Sequence, residues 1–293
     1  MSMIELDRAA VQRSFERAAS SYERFAVLQH EVESRLLERL EFTREDPRVI
    51  LDVGCGTGTA TPALSRRFPA ASTISLDWSQ AMLHKARQHH STNQERVLCA
   101  DMHEIPLAMR SVDLVFSNLA VQWSSHLEAL LVEFRRVLKP GGLLMFSSFG
   151  PDTLHELRAA WAKVDDRPHV NRFMDMHDVG DALVRSGFSE PVMDVDMLTL
   201  EYPDVMGLMR ELKAIGAHNA AAGRARGLTG KHSLRRMLEA YEPFRRDDIY
   251  PASYEVIYGL AYGPLEGQPV RGPEGEYAAF SVESLMKGRG GSK

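Results

Sequence analysis

Three glycines stand within five positions directly after a run of aliphatic residues, in LDVGCGTG at residues 51–58. Gly54, Gly56 and Gly58 give the pattern G-x-G-x-G, whereas a dinucleotide fingerprint would need a further glycine where Thr59 stands. A Walker loop would need Gly-Lys-Ser/Thr, which is missing. Glycine lets the backbone approach a ligand closely, and a helix that follows offers free amide groups to a carboxylate or polar edge. The loop predicts either a polar small-molecule site or a tight turn without a ligand.

Acidic residues follow the next two apolar runs. Asp77 closes STISLD, where a carboxylate can accept both hydroxyls of a ribose. Asp77 could instead cap the following helix, although Ser79 offers the same cap. Asp101 and Met102 follow RVLCA, and they could supply an acceptor for an amino group and an apolar face. Because open α/β sheets bind ligands at the carboxyl ends of their strands, these turns together predict one adenosine-like ligand.

The elements that must position these residues alternate between short apolar runs and helical spacings from residue 48 to 150, which predicts parallel strands with covering helices. Apolar positions between residues 5 and 42 recur at helical spacing and predict one or two amphipathic helices. We expect Pro140-Gly141-Gly142 to end a helix and turn the chain into a strand. The expected divisions are an N-terminal helical cover over 1–44, a ligand-binding core over 45–202, a helical cap over 203–250, a last core strand over 251–263 and a flexible tail over 264–293.

Composition narrows the function classes. The formal net charge of -5 and the pI near 6.1 argue against bulk nucleic-acid binding. Only Cys55 and Cys99 occur, which is too few for a disulfide framework and fits a reducing cytoplasm. No apolar signal core and no run long enough to span a membrane is present, so we expect a cytoplasmic protein without membrane contact.

Five motifs resemble, in order, those of class I S-adenosylmethionine-dependent methyltransferases: LDVGCGTG, SLDWS, CADMHEIP, VDLVFSNLAVQW and RVLKPGGLLMFSSF. The resemblance implies an α/β, Rossmann-like fold with a seven-stranded, mostly parallel sheet and helices on both faces. It implies S-adenosyl-L-methionine as cofactor and S-adenosyl-L-homocysteine as product. By this resemblance, the residues around the cofactor are Asp52, Gly54, Gly56 and Gly58 at the methionine part, Asp77 at the ribose, Asp101 with Met102 at the adenine, and Asn118 near the sulfonium, with Trp78 as a further cofactor-binding residue.

The outer segments resemble the malonyl-acyl carrier protein O-methyltransferases of biotin biosynthesis. The segments are FERAASSYERFAVLQHEV, FGPDTLHELRAAWAKVDDRPHVNRFMDMHDVGDALVRSGF, MRELKAIGAHNAAAGRARGLTG and ASYEVIYGLAYG. This resemblance implies methylation of the free carboxylate of a malonyl thioester, carried by acyl carrier protein or coenzyme A. Three alternatives remain open: an S-adenosylmethionine-binding protein arginine hydroxylase or assembly factor, a methyltransferase for another small diacid, and a binding module without chemistry.

A carboxylate is already a nucleophile, so this reaction needs no general base. A buried carboxylate does need a partner, and we expect an arginine fork from Arg210 or, second, Arg172. Either arginine could instead form a surface salt bridge. We expect Tyr22 over the cofactor, touching substrate or methionine, although it could simply join the apolar stripe of its helix.

No metal is expected, because Asp175-Met176-His177-Asp178 at a helix start is better explained by capping. Basic residues of the cap form a candidate docking site for an acidic acyl carrier protein, with an ordinary solvated helix face as the alternative. These are Arg224, Arg226, Lys231, Arg235, Arg236, Arg245 and Arg246.

Overall fold

The computed structural model describes residues 6–43, 45–217, 219–221, 230–272 and 275–278. Its centre is a seven-stranded sheet in the order β3-β2-β1-β4-β5-β7-β6. The first five strands run parallel, and β7 is antiparallel to both β5 and β6. The strands are β1 (Val49–Val53), β2 (Ser72–Asp77), β3 (Glu95–Cys99), β4 (Val112–Ser117), β5 (Leu138–Phe149), β6 (Ser189–Tyr202) and β7 (Tyr250–Tyr262). The expected mostly parallel α/β sheet is confirmed.

Helices cover both faces of the sheet. Alternate residues of β1 belong to different cores: Ile50 packs with the N-terminal helices and the cap, whereas Leu51 and Val53 pack under the helices on the other face. A strand buried on both faces reads as a continuous apolar run, which is why VILDV shows no alternation. The helices are α1 (Arg8–Ala18), α2 (Tyr22–Phe25), α3 (Val27–Arg39), α4 (Thr61–Arg67), α5 (Gln80–His89), α6 (Leu127–Val137), α7 (His155–Ala162), α8 (Met176–Arg185), α9 (Val205–Ala214) and α10 (Lys231–Tyr241).

The Pro140-Gly141-Gly142 segment differs from its prediction. Helix α6 has already ended at Val137, and the three residues lie within β5, where the pairing register with β4 shifts. The backbone of Gly141 donates to the carbonyl of Gly263 at 2.9 Å, and Gly263 donates back to Gly142 at 2.8 Å. The segment is therefore an irregularity inside a strand, which the end of β7 pairs with, and not the turn that ends the helix.

The N-terminal helices and the cap are joined to each other. Leu6 forms an antiparallel bridge with Ala221, and the amide of Asp7 donates to the carbonyl of Ala220 at 2.8 Å. The hydroxyl of Ser21 donates to the carbonyl of Ala214, at the end of α9, at 2.9 Å. Cover and cap therefore form one layer above the carboxyl ends of the parallel strands.

The chain after β7, which is expected to be a flexible tail, contains regular backbone pairing in the part that the structure describes. Two short strands, β8 (Pro269–Gly272) and β9 (Gly275–Ala278), pair antiparallel in a separate two-stranded sheet. A segment rich in glycine and charge can still pair its backbone groups locally, because strand pairing uses main-chain donors and acceptors. Residues 279–293 lie outside the described residues.

Candidate cofactor and acceptor site

A pocket with about 800 Å³ of empty space, its mouth included, lies over the carboxyl ends of β1, β2 and β4. This is the edge where open α/β sheets bind ligands, and the size suits a small molecule. Several predicted cofactor residues meet there, together with aromatic and apolar residues from the cover, the core and the cap. The lining residues are Phe15, Tyr22, Gln29, Gly54, Gly56, Leu76, Asp77, Trp78, Met82, Ala100, Met102, Asn118, Leu119, Ala120, Gln122, Trp123, Phe149, Ile215 and Ala217.

The glycine loop floors this pocket, and its glycines are required by geometry. Gly54 has φ +69°, and a Cβ there would lie 2.3 Å from the Cβ of Ala120. Gly58 has φ +79°, and its Cβ would lie 2.7 Å from that of Ala86 in α5. Both positions combine a left-handed backbone with a close approach, so an alanine would be strained and would displace its neighbour.

Asp77 shapes the loop from the neighbouring strand. Its carboxylate accepts from the amide of Gly56 at 3.0 Å and from the amide of Ser79 at 2.8 Å. The hydroxyl of Ser79 accepts from the amide of Met82 at 3.2 Å and therefore provides the cap of α5. Burial raises the pKa of Asp77 to about 6, against the lowering effect of these amide bonds. Asp77 is thus held at the pocket wall with its side chain at the glycine loop.

Two further carboxyls stand close to Asp77. Asp52 is 2% exposed, and its Oδ2 is buried without a hydrogen-bond partner among the described residues. Burial, then the charges of Glu33 and Asp77, raises the pKa of Asp52 well above its ordinary value. Burial also raises the pKa of Glu33 to about 7, although Thr59 of the glycine loop donates to it at 2.7 Å.

No described Lys or Arg forms an ion pair with any of these three carboxyls, Glu33, Asp52 and Asp77. Buried carboxyls without a cation are unstable when ionised, and a positively charged ligand would relieve that cost. The three carboxyls beside the glycine loop therefore fit a cationic small molecule. The sequence signal for Glu33 was weak, because it lies on an N-terminal helix and not in a loop at the strand ends.

Asp101 lies at the rim of the pocket and is already engaged. It pairs with Arg8 of α1, and it accepts from the backbone amide of His103 at 2.9 Å. These donors hold the pKa of Asp101 below its ordinary value despite partial burial, with the His103 amide contributing first. Met102 lines the pocket, whereas the side chain of Asp101 faces the N-terminal helix.

The cover closes the pocket from above. The ring of Tyr22 passes over the loop, where a Cβ on Gly56 would be 3.9 Å from its Cε1. Burial, with the charges of Asp77 and Glu33, raises the pKa of Tyr22 above its ordinary value. Phe15 packs edge to face on Trp123, with ring centroids 5.2 Å apart. The expected position of Tyr22 over the loop is where the structure has it, and its role stays a proposal.

Asn118 links the sheet to α3 through hydrogen bonds of its side chain. Its Nδ2 donates to the carbonyl of Gln29 at 3.0 Å, and its Oδ1 accepts from Ser147 at 2.7 Å. Leu119, next in sequence, has φ +48°, an unusual conformation for a residue other than glycine and one that clusters at binding sites. The buried side-chain Oε1 of Gln29 has no hydrogen-bond partner within the part of the chain that the structure describes. Gln29 is a site residue that the sequence reasoning missed.

The two arginines expected to hold a substrate carboxylate do not reach this pocket. Arg210 has 69% of its side chain exposed and lies 3.5 Å from Asp204, on the outer face of α9. Arg172 is exposed and lines a small separate recess beside Gln122. Contrary to the expectation, the described residues offer no guanidinium clamp to the pocket. Helical phase explains the error for Arg210, because Val205 and Leu208 bury the opposite face of that helix.

The remaining exclusions concern metals and membranes. Among the residues that the structure describes, no cluster of three His, Cys, Asp or Glu side chains could hold a metal ion. Asp175 caps α8 by accepting from the amide of His177 at 2.8 Å, as the capping interpretation expects. Within the same described ranges, no helix is long and apolar enough to cross a membrane.

Comparisons with known proteins agree with this geometry. Residues 51–146 match the model of a methyltransferase domain family, Methyltransf_11. A putative methyltransferase from Bacillus halodurans shares the fold, with a TM-score of 0.57, 17% identity and coverage of 79% of this chain and 100% of that chain. A chain from the complex of the Haloferax volcanii Trm112 activator with a putative methyltransferase gives a TM-score of 0.56 at 18% identity, covering 88% and 99% of the two chains.

Sequence relatives are much closer. A malonyl-[acyl-carrier protein] O-methyltransferase from Methylovorus sp. is 53% identical and covers 88% of this chain and 90% of its own length. The enzyme of that name from Gallionella capsiferriformans is 51% identical over 90% and 93% of the two chains, and one from Coxiella burnetii is 41% identical over 98% of both. These relatives match the chain outside the shared core as well as within it. The chain therefore belongs to the malonyl-[acyl-carrier protein] O-methyltransferase family, and it is a methyltransferase.

Proposed function

We propose that the protein transfers a methyl group from S-adenosyl-L-methionine to the free carboxylate of malonyl-acyl carrier protein, or of malonyl-coenzyme A. The methyl ester would then prime pimeloyl synthesis for biotin. The family membership supports this substrate, because relatives across the whole chain carry that name. The observation that supports S-adenosylmethionine as the cofactor is the cluster of Glu33, Asp52 and Asp77 beside the glycine loop, with which no described Lys or Arg forms an ion pair.

The residues present fit this cofactor. Asp52 and Glu33 would face its cationic amino-acid part, Asp77 its ribose hydroxyls, and Trp78 with Met102 the adenine ring. S-adenosylmethionine would supply an electrophilic methyl carbon, to which a carboxylate oxygen would bond as the carbon–sulfur bond breaks and the neutral thioether leaves, so that no proton has to move. The chain accordingly needs no general base near the reacting atoms.

The absence of a guanidinium from the described pocket lining suits this chemistry. Anion and cation become a neutral ester and a neutral thioether, so charge is lost on the way to the transition state. An arginine bound tightly to the carboxylate would stabilise the charged reactant more than the transition state and slow the reaction. Neutral donors can orient the carboxylate without that penalty. Gln29 and Tyr22 are placed for this role, since both line the pocket and the raised pKa of Tyr22 keeps its hydroxyl protonated.

Cover and cap would exclude water from the reaction. Phe15, Trp123 and Phe149 line the pocket together with Ile215 and Ala217 from the end of α9. Loss of charge is favoured in a dry environment, and correct positioning of the two reactants contributes roughly 7–11 kcal/mol in favourable cases. The two layers that close over the glycine loop therefore supply orientation and dryness, which are the two requirements of this methyl transfer.

Carrier docking on the cap also belongs to the proposal. Arg224 and Arg226 lie outside the described residues, whereas Lys231, Arg235, Arg236, Arg245 and Arg246 are exposed. Arg245 already pairs with Glu242 at 3.1 Å and with Asp248 at 2.5 Å. The patch is thus partly neutralised, and we assign it a secondary part in attracting an acidic carrier. We also propose a cytoplasmic location, where free Cys55 and Cys99 would stay reduced.

One assay tests the proposal against its alternatives. Purified protein is mixed with methyl-labelled S-adenosylmethionine and, separately, with malonyl-carrier, malonyl-coenzyme A, free malonate, aconitate-like diacids and an arginine peptide. We expect a base-labile methyl ester on the malonyl thioesters alone. Label on a free diacid only would assign the protein to another carboxyl substrate, and hydroxylated peptide would favour the hydroxylase. Gln29→Ala should lower turnover with little change in cofactor affinity by calorimetry.

A further inference from the structure

A second, larger cavity opens beside the cofactor pocket, between α1, α7 and the cap. The two cavities share Gln29, Trp123, Phe149, Ile215 and Ala217 in their linings. They therefore meet at the residues that would orient the acceptor carboxylate. A ligand that reaches the reacting end from solvent can pass through this second cavity, which we call the groove.

One part of the groove lining is apolar. It is formed by Leu154 and Leu157 before and within α7, and by Leu212 and Phe173 from the cap side and the loop before α8. Phe173 packs edge to face on Phe149, with centroids 5.5 Å apart. Such a wall suits an extended chain of methylene and amide groups, which fills a channel and needs few charged partners.

The mouth of the groove carries positive charge. Arg13, Arg17 and Lys213 line the groove and are exposed, so they stand where it meets solvent. Arg13 and Arg17 are one turn apart on the same face of α1. Lys213 lies near the end of α9, and the segment just after that helix touches α1, since a Cβ on Gly216 would be 3.0 Å from the carbonyl oxygen of Ser14.

These three cations are not neutralised by their surroundings. Among the described residues, none of them takes part in an ion pair. The acidic side chain in the groove lining, Glu211, accepts from the hydroxyl of Tyr202 at 2.8 Å, and burial raises its pKa. A protein with a formal net charge of -5 thus concentrates unpaired positive charge at one opening. An anion on the entering chain is the partner that this charge favours.

We propose that the groove holds the pantetheine arm of the acyl thioester, with the phosphate that joins the arm to its carrier bound by Arg13, Arg17 and Lys213. The proposal rests on the proposed function and adds the path by which the substrate enters. It also states what the enzyme recognises in common between its two candidate substrates, because acyl carrier protein and coenzyme A both present a phosphate at the base of the same arm. The apolar wall then carries the arm inward, and the malonyl end reaches Gln29 at the junction.

The test compares substrates with and without that phosphate. The double variant Arg13→Glu with Arg17→Glu is assayed with malonyl-carrier, with malonyl-coenzyme A and with malonyl-N-acetylcysteamine, a truncated thioester that lacks the phosphate. We expect KM to rise about tenfold or more for the first two substrates, since two charge-assisted contacts become repulsive. The KM for the truncated thioester and the kcat for all three should change by less than about twofold.

Controls separate this result from damage to the fold. Arg66→Glu with Arg96→Glu makes the same change in net charge at exposed positions that line neither cavity, and it should leave all three KM values unchanged. Arg13→Lys with Arg17→Lys keeps the charge and should restore most of the affinity. Calorimetry with S-adenosylhomocysteine should give the same Kd for every variant.

Two outcomes would overturn the inference. One is an equal loss with the truncated thioester, which would mean that the arginines act on the reacting end or on the fold. The other is an unchanged KM for the phosphate-bearing substrates in the charge-reversed variant. A different result, no methylation of any malonyl thioester by the unaltered enzyme, would reject the proposed function and the inference with it.

Discussion

The two cavities that meet at Gln29 are opposite in charge. The cofactor pocket has Asp77 in its wall and Glu33 and Asp52 beside its glycine loop, with no described cation paired to them. The groove has Arg13, Arg17 and Lys213 in its exposed lining. In the proposed arrangement, a cationic cofactor and an anionic acyl arm would each be held by charges of opposite sign. The residues that the two cavities share, which are Gln29, Trp123, Phe149, Ile215 and Ala217, carry no formal charge, and the proposed reaction would remove charge there.

This separation places strong binding away from the reacting atoms. Interactions that are equally strong in the ground state and the transition state improve binding without speeding the chemical step. Charges at the remote ends can therefore bind both reactants firmly, while the junction avoids an ion pair that the reaction would have to break.

The largest effect is expected from Gly54→Ala. The new Cβ would meet that of Ala120 at 2.3 Å, at a residue whose φ is +69°. Backbone strain of roughly 1–3 kcal/mol adds to this overlap, so cofactor affinity should fall about a hundredfold or more. Isothermal calorimetry with S-adenosylhomocysteine measures the loss, and a thermal melt checks that the variant is folded.

Gly180→Ala is the matched control for that substitution. Gly180 lies in α8, where a Cβ would meet Met193 Cγ at an ordinary 3.5 Å. Alanine there should raise stability by up to about 1 kcal/mol and leave the affinity unchanged. If Gly54→Ala binds the product as tightly as the unaltered enzyme, the glycine loop is only a turn, and the pocket assignment is wrong.

A second prediction concerns Glu33. Burial raises the pKa of this carboxyl to about 7. Between pH 4.5, the pKa of the group in the unfolded chain, and about pH 7, Glu33 keeps a proton in the folded protein that it has lost in the unfolded chain. Its contribution to stability is therefore complete below the unfolded value and is lost as pH rises through about 7. Glu33→Gln should abolish this loss, so the fall in unfolding free energy from pH 5 to 8 should be smaller by on the order of 2 kcal/mol. Urea denaturation at the two pH values measures it.

The same carboxyl gives a test with ligand. A cation bound nearby favours ionised Glu33, so cofactor binding at pH 6 should release protons and tighten toward pH 8. Calorimetry in buffers of different ionisation enthalpy counts the protons released. Glu31→Gln, on the exposed side of the same helix, should behave like the unaltered protein. If the Glu33→Gln variant still releases protons when the cofactor binds, another group causes the pH dependence of cofactor binding.

Sequence patterns were sufficient for the sheet and for most of the pocket floor. Strands buried on both faces read as unbroken apolar runs, and turns at their carboxyl ends carry the loop glycines and Asp77. These signals are local in sequence. Glu33 and Gln29 could not be found in the same way, because tertiary packing brings α3 over the loop and no local pattern marks them. Charge favours Arg210 as a carboxylate partner, but its side chain lies on the exposed face of α9, which a charge pattern does not show.

The segment after β7 shows what composition leaves open. Composition rich in glycine and charge indicates that a segment cannot build a core, but it does not exclude local backbone pairing such as that of β8 with β9. The groove also escaped the sequence, since its cations come from α1 and α9, which lie almost 200 residues apart in the chain. Charge that converges from distant segments becomes visible only when the fold is known.

The smallest effect is expected at the cap patch, where Arg235→Glu with Arg236→Glu tests long-range attraction without contact to the groove. Arg235 is 3.7 Å from Glu239, both 68% exposed, and such exposed charges contribute little to stability. We expect KM to rise about threefold for malonyl-carrier at low salt and to change little for malonyl-coenzyme A, because only the carrier has an acidic surface.

The groove variant Arg13→Glu with Arg17→Glu should instead weaken the binding of both substrates. If the cap variant raises KM for malonyl-coenzyme A as much as for malonyl-carrier, the cap binds the phosphate and the groove mouth does not. If KM for malonyl-carrier and its salt dependence are unchanged, the cap patch is an ordinary solvated helix face.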